Sequence, residues 1–404
     1  MRRSIFTRTS TARNSGYCHK RTMKSLEQLR QTDFKIIMIG NYKPIIQSIL
    51  DFDYLAGKPE PSIKVIISAG RKFDKYFWGK KEILIPIIPK LDNLSENTRT
   101  QINAFINVSS GRRTLSSTKQ VIDILPNLII GSLFAEDVPE KHALEIKKIA
   151  EEKNILITGS ASVGFLIPKI LKLGAIGGVA PDQIIKANLL TPGNTAVFSC
   201  SGGMTNELIN MMAQKNISLS FSVAFGGERF PVMTPKDAFL LAEADQQTKN
   251  IVYFGELGGD DEYVLIDLIK QGKVTKPIFA YIGGSIAEVF ESPPQFGHAK
   301  ALAQRGIETA QAKKEALKEA GVNVGWSFAE FNNLIDQKIM SEKKQEETYE
   351  DLSMRKKSLF TSSISGDVNG QATILGESLT DIANNNSYAQ TVINILLGKK
   401  SKSK

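Results

Sequence analysis

From Phe34 onward the chain alternates short, unbroken apolar runs with stretches of helical periodicity. The first set of runs reads Phe34–Ile39, Ile63–Ser68, Ala104–Ser109, Leu128–Leu133 and Ile155–Thr158, with the clearest helix at Glu140–Lys153. A second set starts after Thr191-Pro192-Gly193-Asn194. Its runs are Thr195–Phe198, Leu219–Ala224, Asn250–Phe254 and Pro277–Ile282, and its helices Met204–Lys215, Lys236–Ala244, Glu262–Gln271 and Ala299–Ala320. A strand that is apolar at every position must be covered on both faces, and the intervening helices supply that cover. The predicted fold class is therefore α/β: an N-terminal Rossmann-like domain, then a second Rossmann- or flavodoxin-like domain, joined near residues 180–194. The division is residues 1–33 as a basic arm, 34–190 as the first domain, 191–340 as the second, and 341–404 as a charged linker and tail. No shorter internal repeat is present.

Composition narrows the function classes. The two cysteines, Cys18 and Cys200, lie far apart, which speaks against a disulfide scaffold and suits a reducing compartment such as the cytoplasm. No apolar run is long enough to span a bilayer, so no membrane partner is expected. The formal charge of +9 is carried partly by the termini. It does not call for nucleic acid, and a basic surface equally draws a polyanion such as coenzyme A (CoA). Arg2, Arg3, Arg8, Arg13, Lys20 and Arg21 precede any acidic residue, with Ser and Thr between them. That is the composition of a mitochondrial transit peptide, but also of a disordered arm, or of a start placed upstream of Met23.

Three segments carry chemistry. His298, one of only three histidines, follows Gln295-Phe296-Gly297 at a predicted helix start. Free backbone N–H groups and the helix dipole there would disfavour an imidazolium and favour a neutral, nucleophilic ring and then a phosphoryl group on it. Phe198-Ser199-Cys200-Ser201-Gly202-Gly203-Met204 runs from an apolar strand into a helix. Such a turn can close backbone N–H groups on a phosphate, with Ser199 and Ser201 donating to its oxygens, or it can be a plain serine-capped turn. Glu256 ends the strand Asn250–Phe254, where open α/β sheets place their ligands. A carboxylate there can accept a histidine N–H and fix its tautomer, or can simply be solvated.

Gly255-Glu256-Leu257-Gly258-Gly259, Phe296-Gly297-His298-Ala299 and Ser201-Gly202-Gly203-Met204-Thr205-Asn206-Glu207-Leu208 together resemble the succinyl-CoA synthetase α-subunit module, in the form found inside ATP-citrate lyase. Leu50-Asp51-Phe52-Asp53-Tyr54, Trp78-Gly79-Lys80-Lys81-Glu82-Ile83-Leu84-Ile85-Pro86 and Ala316-Leu317-Lys318-Glu319-Ala320-Gly321-Val322 extend the likeness to Phe34 through about Gln337. The resemblance implies that His298 is phosphorylated, that Glu256 orients it, and that Ser199, Ser201, Gly202 and Gly203 hold the phosphate. It implies CoA on the first domain, with Ser110 and Arg112 aligned on the CoA-contacting serine and arginine. Loops at the carboxyl edge of that sheet, bearing Glu136, Gly159, Ser160 and Ser162, complete the crevice. Arg113 and Lys43 are weaker candidates for CoA phosphates. The first loop, Gly40-Asn41-Tyr42-Lys43-Pro44, is a poor match to a dinucleotide fingerprint, so a nicotinamide cofactor is not expected.

The resemblance also places ATP and Mg on an ATP-grasp β-type partner, in a hetero- or homo-oligomer, with citrate or a similar carboxylate as substrate. No metal ligands are expected on this chain. There are departures. Cys200 stands where arginine is usual, Lys300 replaces a glycine, and residues 164–174 lack glycines expected beside CoA. After Ser341-Glu342-Lys343-Lys344, Arg355–Ile364 resembles the entry to a citrate-synthase-like domain whose remainder is not found. The expected activity is ATP-dependent acyl-CoA formation through a phosphohistidine. The alternatives are a succinate-specific α-subunit and a non-catalytic CoA-binding or regulatory protein.

Overall fold

In a computed structural model of the chain, the structure describes residues 25–290, 298, 301–303, 305–341, 348–352, 355, 362, 364–368 and 371–398. The first half runs α1 (Leu26–Arg30), β1 (Ile36–Ile39), α2 (Lys43–Leu55), β2 (Ile63–Ile67), β3 (Phe73–Trp78), β4 (Lys81–Ile88), α3 (Glu96–Gln101), β5 (Ala104–Asn107), α4 (Gly111–Ile124), β6 (Ile130–Leu133), α5 (Glu140–Lys153) and β7 (Leu156–Thr158). Its sheet has the order β3-β4-β2-β1-β5-β6-β7. All pairs are parallel except β3 with β4. Without the β3 edge this is the Rossmann order, with the switch point between β1 and β5.

The second half runs β8 (Gly164–Ile167), β9 (Leu171–Gly174), α6 (Pro181–Lys186), β10 (Thr195–Ser199), α7 (Gly202–Gln214), β11 (Leu219–Ala224), α8 (Pro235–Ala244), β12 (Asn250–Glu256), α9 (Asp261–Lys270), β13 (Ile278–Gly283), α10 (Ala310–Glu319), β14 (Asn323–Val324) and α11 (Phe328–Lys338). The order β14-β13-β12-β10-β11-β8-β9 contains a flavodoxin-like parallel sheet whose switch point lies between β10 and β12. The hairpin β8–β9 adds antiparallel to β11.

Four features differ from the sequence expectation. The arm assigned to residues 1–33 is folded from Ser25: Leu26 and Leu29 are buried, and Arg30 grips Asp245 with both guanidinium nitrogens at 2.7 and 2.8 Å. Residues 1–24 lie outside the described residues. The stretch 164–174 is a buried hairpin of the second sheet, so that sheet draws on residues well ahead of position 191. The hairpin β3–β4 was not legible, because Asp74 and Lys75 interrupt one strand and Pro86 the other. The helix expected from Ala299 begins only at Ala310. Ala301–Ala303 are not helical, and the Thr309 hydroxyl caps the helix by accepting the Ala312 N–H.

The chain divides into two units, Met1–Ser353 and Met354–Lys404. In the second, a three-stranded antiparallel sheet (β15 Ser365–Val368, β16 Gln371–Ile374, β17 Glu377–Ser378) is followed by α12 (Leu379–Asn385) and α13 (Tyr388–Leu397). In the first unit, the linker-like stretch after 341 is partly packed: the Glu350 carboxylate accepts the Tyr54 hydroxyl at 2.5 Å and lies 3.3 Å from Lys80 Nζ. Among the described residues no helix is long and apolar enough to cross a membrane.

An aromatic cluster locks the second sheet. Phe198 of β10 is fully buried, with ring centroids 5.2 Å from Phe221, 5.5 Å from Phe239 and 6.1 Å from Phe225. Phe198→Ala leaves a cavity at the centre of this cluster and is expected to destabilise the chain by ~3–5 kcal/mol. Urea unfolding measures this, and a loss below ~1 kcal/mol would show that the cluster does not hold the sheet.

Candidate active site

The parallel register brings three strand ends level. Ser199, the last residue of β10, pairs with Ala224 of β11 on one side and Phe254 of β12 on the other. The loops that follow are Phe225-Gly226-Gly227-Glu228 after β11, Cys200-Ser201-Gly202-Gly203 after β10, and Leu257-Gly258-Gly259 after Glu256 at the end of β12. They share one edge of the sheet, at its switch point.

His298 reaches this edge from a distant loop. Its Nδ1 lies 2.9 and 2.8 Å from the two carboxylate oxygens of Glu256. The other side of the ring rests on Gly227, where a Cβ would collide with Cγ and Cδ2 of the imidazole. Glu256 belongs to β12, and Gly227 follows β11. Strands neighbour at about 4.8 Å, so a ring touching both lies across the end of β10 between them. The serine–glycine loop leaves the sheet from that strand.

The electrostatics differ from the expectation. His298 is not at the start of a helix of its own, and the hydrogen bond that its Nδ1–H donates to Glu256 raises its pKa above the ordinary histidine value; burial opposes the shift, and the charges of Glu256, Glu136 and Glu228 reinforce it. The carboxylate thus favours the imidazolium. With Nδ1–H held by Glu256, deprotonation frees Nε2, which becomes the only ring nitrogen able to attack.

The loop after β10 is built as a helix N-terminus. Ser201 caps α7: its Oγ accepts the Met204 N–H at 3.3 Å. Ser199 is fully buried, and its Oγ accepts the Ser201 N–H at 3.0 Å, so this hydroxyl shapes the turn rather than facing a ligand. Gly202 is half-buried and Gly203 exposed at the first turn, leaving their N–H groups at the helix's positive end. Cys200 is buried, its thiol 3.9 Å from the Phe254 carbonyl. Phe296, Gly297 and Lys300 lie outside the described residues.

The first-domain candidates separate into two groups. Ser110 precedes α4, and Arg112 and Arg113 are exposed on its first turn. The exposed Glu136 lies close by: a Cβ on Gly111 would stand 2.6 Å from the carbonyls of Glu136 and Asp137. These residues line the β1/β5 switch point. The others are buried at the joint between the sheets. The Gly159 carbonyl accepts the Val232 N–H at 2.7 Å. Ser162 Oγ donates to the Ala224 carbonyl at 2.6 Å and accepts the Gly164 N–H at 2.9 Å, which commits it to the joint. Ser160 is buried, and its hydroxyl has no partner among the described residues. Lys43 is held by Asp74 at 2.9 Å. Sequence reasoning missed Gly227 and Glu228, although the pair Gly226-Gly227 directly after a strand was a visible signal. Among the described residues no group of three or more His, Cys, Asp and Glu side chains is placed to hold a metal.

The family model described as CoA-ligase matches residues 198–323, which span the serine loop, Glu256 and His298. Over a longer stretch the chain is similar to ATP-citrate synthases. It is 35% identical over 312 residues to the probable ATP-citrate synthase subunit 1 of Schizosaccharomyces pombe, covering 77% of this chain and 50% of that protein. It is 38% identical over 303 residues to the human ATP-citrate synthase, covering 74% of this chain and 27% of that protein. The chain thus corresponds to half the length of the first relative and about a quarter of the second. Among solved structures, a mutant ATP citrate lyase of Methanosaeta concilii in complex with (3S)-citryl-CoA superposes with a TM-score of 0.75 at 29% identity, covering 91% of this chain and 63% of that one. The two seven-stranded sheets are those of this CoA-ligase architecture.

The raised pKa of His298 makes a stability prediction. The folded chain binds the ring proton more tightly than the unfolded chain, whose value is about 6.5. The added stability is full below that pH and is lost as pH rises through the folded value. The His298 side chain is 37% exposed, so solvent screens the pair. Glu256→Gln is expected to cost at most ~1 kcal/mol at pH 6 and less at pH 9. Denaturant midpoints at the two pH values measure the difference, and a cost that grows toward pH 9 would reverse the assignment.

Proposed function

We propose that this chain is an ATP-citrate lyase-type acid–CoA ligase subunit that works through a phosphohistidine at His298. The carrying observation is the imidazole pinned by Glu256 at the sheet edge from which the serine–glycine start of α7 also leaves. ATP, with its Mg, is bound by an ATP-grasp β-type partner. In support, two relatives are named as subunits, "subunit 1" in Schizosaccharomyces pombe and "beta chain" in rice.

Nε2 of His298 attacks the terminal phosphorus, forming a P–N bond as the bond to the ADP oxygen breaks. Nδ1 keeps its proton, which it donates to Glu256, and the carboxylate stabilises the positive ring that results. The N–H groups of Gly202 and Gly203 and the Ser201 hydroxyl take the new phosphoryl oxygens. A substrate carboxylate oxygen then attacks phosphorus, releasing the ring and giving an acyl phosphate. The CoA thiolate attacks the acyl carbon and expels phosphate. Citrate is the favoured acid on the names of the relatives, and succinate is the competing one. CoA is assigned to the crevice at β1/β5, where Arg112 stands exposed at the start of α4. A guanidinium there suits CoA phosphates.

Two outcomes follow. With partner and Mg-ATP, His298 should carry an acid-labile, base-stable phosphate, absent in His298→Asn. Gly227→Ala pushes the ring off its seat, and should slow labelling at least tenfold (about 1.4 kcal/mol in the barrier) while leaving CoA binding intact. Phosphosite analysis decides, and turnover with no label at any stage sinks the mechanism. Arg112→Ala should weaken CoA binding roughly tenfold, about 1.4 kcal/mol, with the wild-type affinity falling as salt rises. Calorimetry showing no CoA binding to the intact chain would favour a non-catalytic descendant.

A further inference from the structure

Glu256 sits on a loop that two buried interactions hold from behind. Lys313 of α10 is fully buried, and its ammonium donates to Glu262 Oε2 at 2.6 Å, to the Gly258 carbonyl at 2.6 Å and to the Glu256 carbonyl at 2.8 Å. All three ammonium protons are therefore used. Glu262, at the start of α9, is buried too, and its Oε1 accepts the Tyr253 hydroxyl at 2.8 Å. The Gly258 N–H donates to the Glu308 carbonyl at 2.8 Å. Glu308 lies just ahead of α10, in the segment that connects it to His298.

Such a network is not explained by stability alone. A buried ion pair gains little over well-packed apolar side chains, because desolvation offsets the attraction. What it does provide is direction. Two of the three acceptors on Lys313 are main-chain carbonyls of the very loop that begins with Glu256. α10 is also the helix into which the His298 segment runs, so the lysine ties the two halves of the histidine–carboxylate pair to one another.

We propose that Lys313, charge-balanced by Glu262, is a positioning residue that sets the main chain of Glu256 so that both carboxylate oxygens meet Nδ1 of His298. The proposal deepens the phosphohistidine reading and rests on it for its catalytic meaning. Its physical content is separate: removing the ammonium lets the Glu256 loop relax and loosens the carboxylate from the ring. The remaining charges facing His298, on Glu136 and Glu228, come from other loops and stay in place.

The test is an NMR titration of the imidazoles in the intact chain, without nucleotide or partner. His298→Asn assigns the signal among the three histidines. In the wild type the His298 midpoint lies above the ~6.5 of a free imidazole, and Glu256→Gln defines the value without the carboxylate. Lys313→Met keeps the length and loses the charge. It should move the midpoint of His298 at least half of the way to the Glu256→Gln value, leave that of His142 unchanged, and leave CoA binding intact. In the assembled enzyme it should lower the rate of His298 labelling without changing the KM for CoA. A wild-type midpoint in folded Lys313→Met overturns the proposal. If that variant does not fold, the double variant Lys313→Met/Glu262→Gln decides, since it removes the carbonyl contacts and the ion pair together without changing the net charge: a downward midpoint supports the proposal and an unchanged one overturns it. Absence of phosphate on His298 in the complete complex would instead overturn the ligase reading and leave this titration standing.

Discussion

The level carboxyl ends of β11, β10 and β12 are the constraint on which the site depends. Ser199 stands in register between Ala224 and Phe254, and this fixes where each following loop leaves the sheet. Slippage of one residue would exchange the faces of the strand and remove Phe198 from its aromatic cluster. Because the register holds, a single imidazole touches the loop after β11 and the end of β12 at once. The start of α7 leaves the sheet between those two attachments. The core and the chemistry are thus linked through one short strand.

The two charged influences on His298 act at different stages of the proposed reaction. Before phosphorylation, Glu256 binds the ring proton and raises its pKa, which lowers the fraction of nucleophile at neutral pH. That is a cost to the first step. The same carboxylate compensates as the P–N bond forms, when positive charge grows on the ring. The start of α7, which the proposed reaction uses to hold phosphate, has the opposite preference, since it favours anions. It has little to bind in the free enzyme and most to bind once the phosphoryl group arrives. Contacts that strengthen only as the reaction proceeds are those that raise the rate.

Much of this was legible in the sequence, and the remainder was not for identifiable reasons. The unbroken apolar runs located β1, β2, β5, β6, β7 and the parallel strands β10 to β13, because a strand buried on both faces has no polar alternation to obscure it. Glu256 and the serine loop were legible because strand ends are marked by an abrupt change from apolar to small or polar residues. Strands β3 and β4 carry charges and a proline, and their pattern resembles a loop. The helix start near His298 was misplaced because Ala-rich sequence reads as helix wherever no cap intervenes. The decisive cap, Thr309, lies downstream. Lys313 and Glu262 read as ordinary solvated charges on helices, and nothing in their spacing shows that they meet at 2.6 Å in the core. Gly227 was passed over because a glycine that makes room for a side chain distant in sequence looks like any turn glycine.

The joint between the sheets would let the proposed CoA crevice of one domain serve the histidine of the other. From α4, the start of the helix at Gly111 packs on the carbonyls of Glu136 and Asp137. The Asp137 N–H donates to Glu228 Oε1 at 2.8 Å. Glu228 is the neighbour of Gly227, on which the ring of His298 rests. A chain of direct contacts therefore runs from the helix bearing Arg112 to the imidazole. Below it the sheets are fastened by Ser162, which bonds to Ala224, and by Gly226, where any Cβ would strike the Ser160 carbonyl. Glu228 itself is partly buried, and burial raises its pKa against the pull of the Asp137 and Val138 N–H groups. These contacts establish proximity and a fixed mutual orientation rather than a signal passed between sites. In the proposed reaction, a fixed orientation of the two switch points would raise the effective concentration of the thiol at the activated carboxyl.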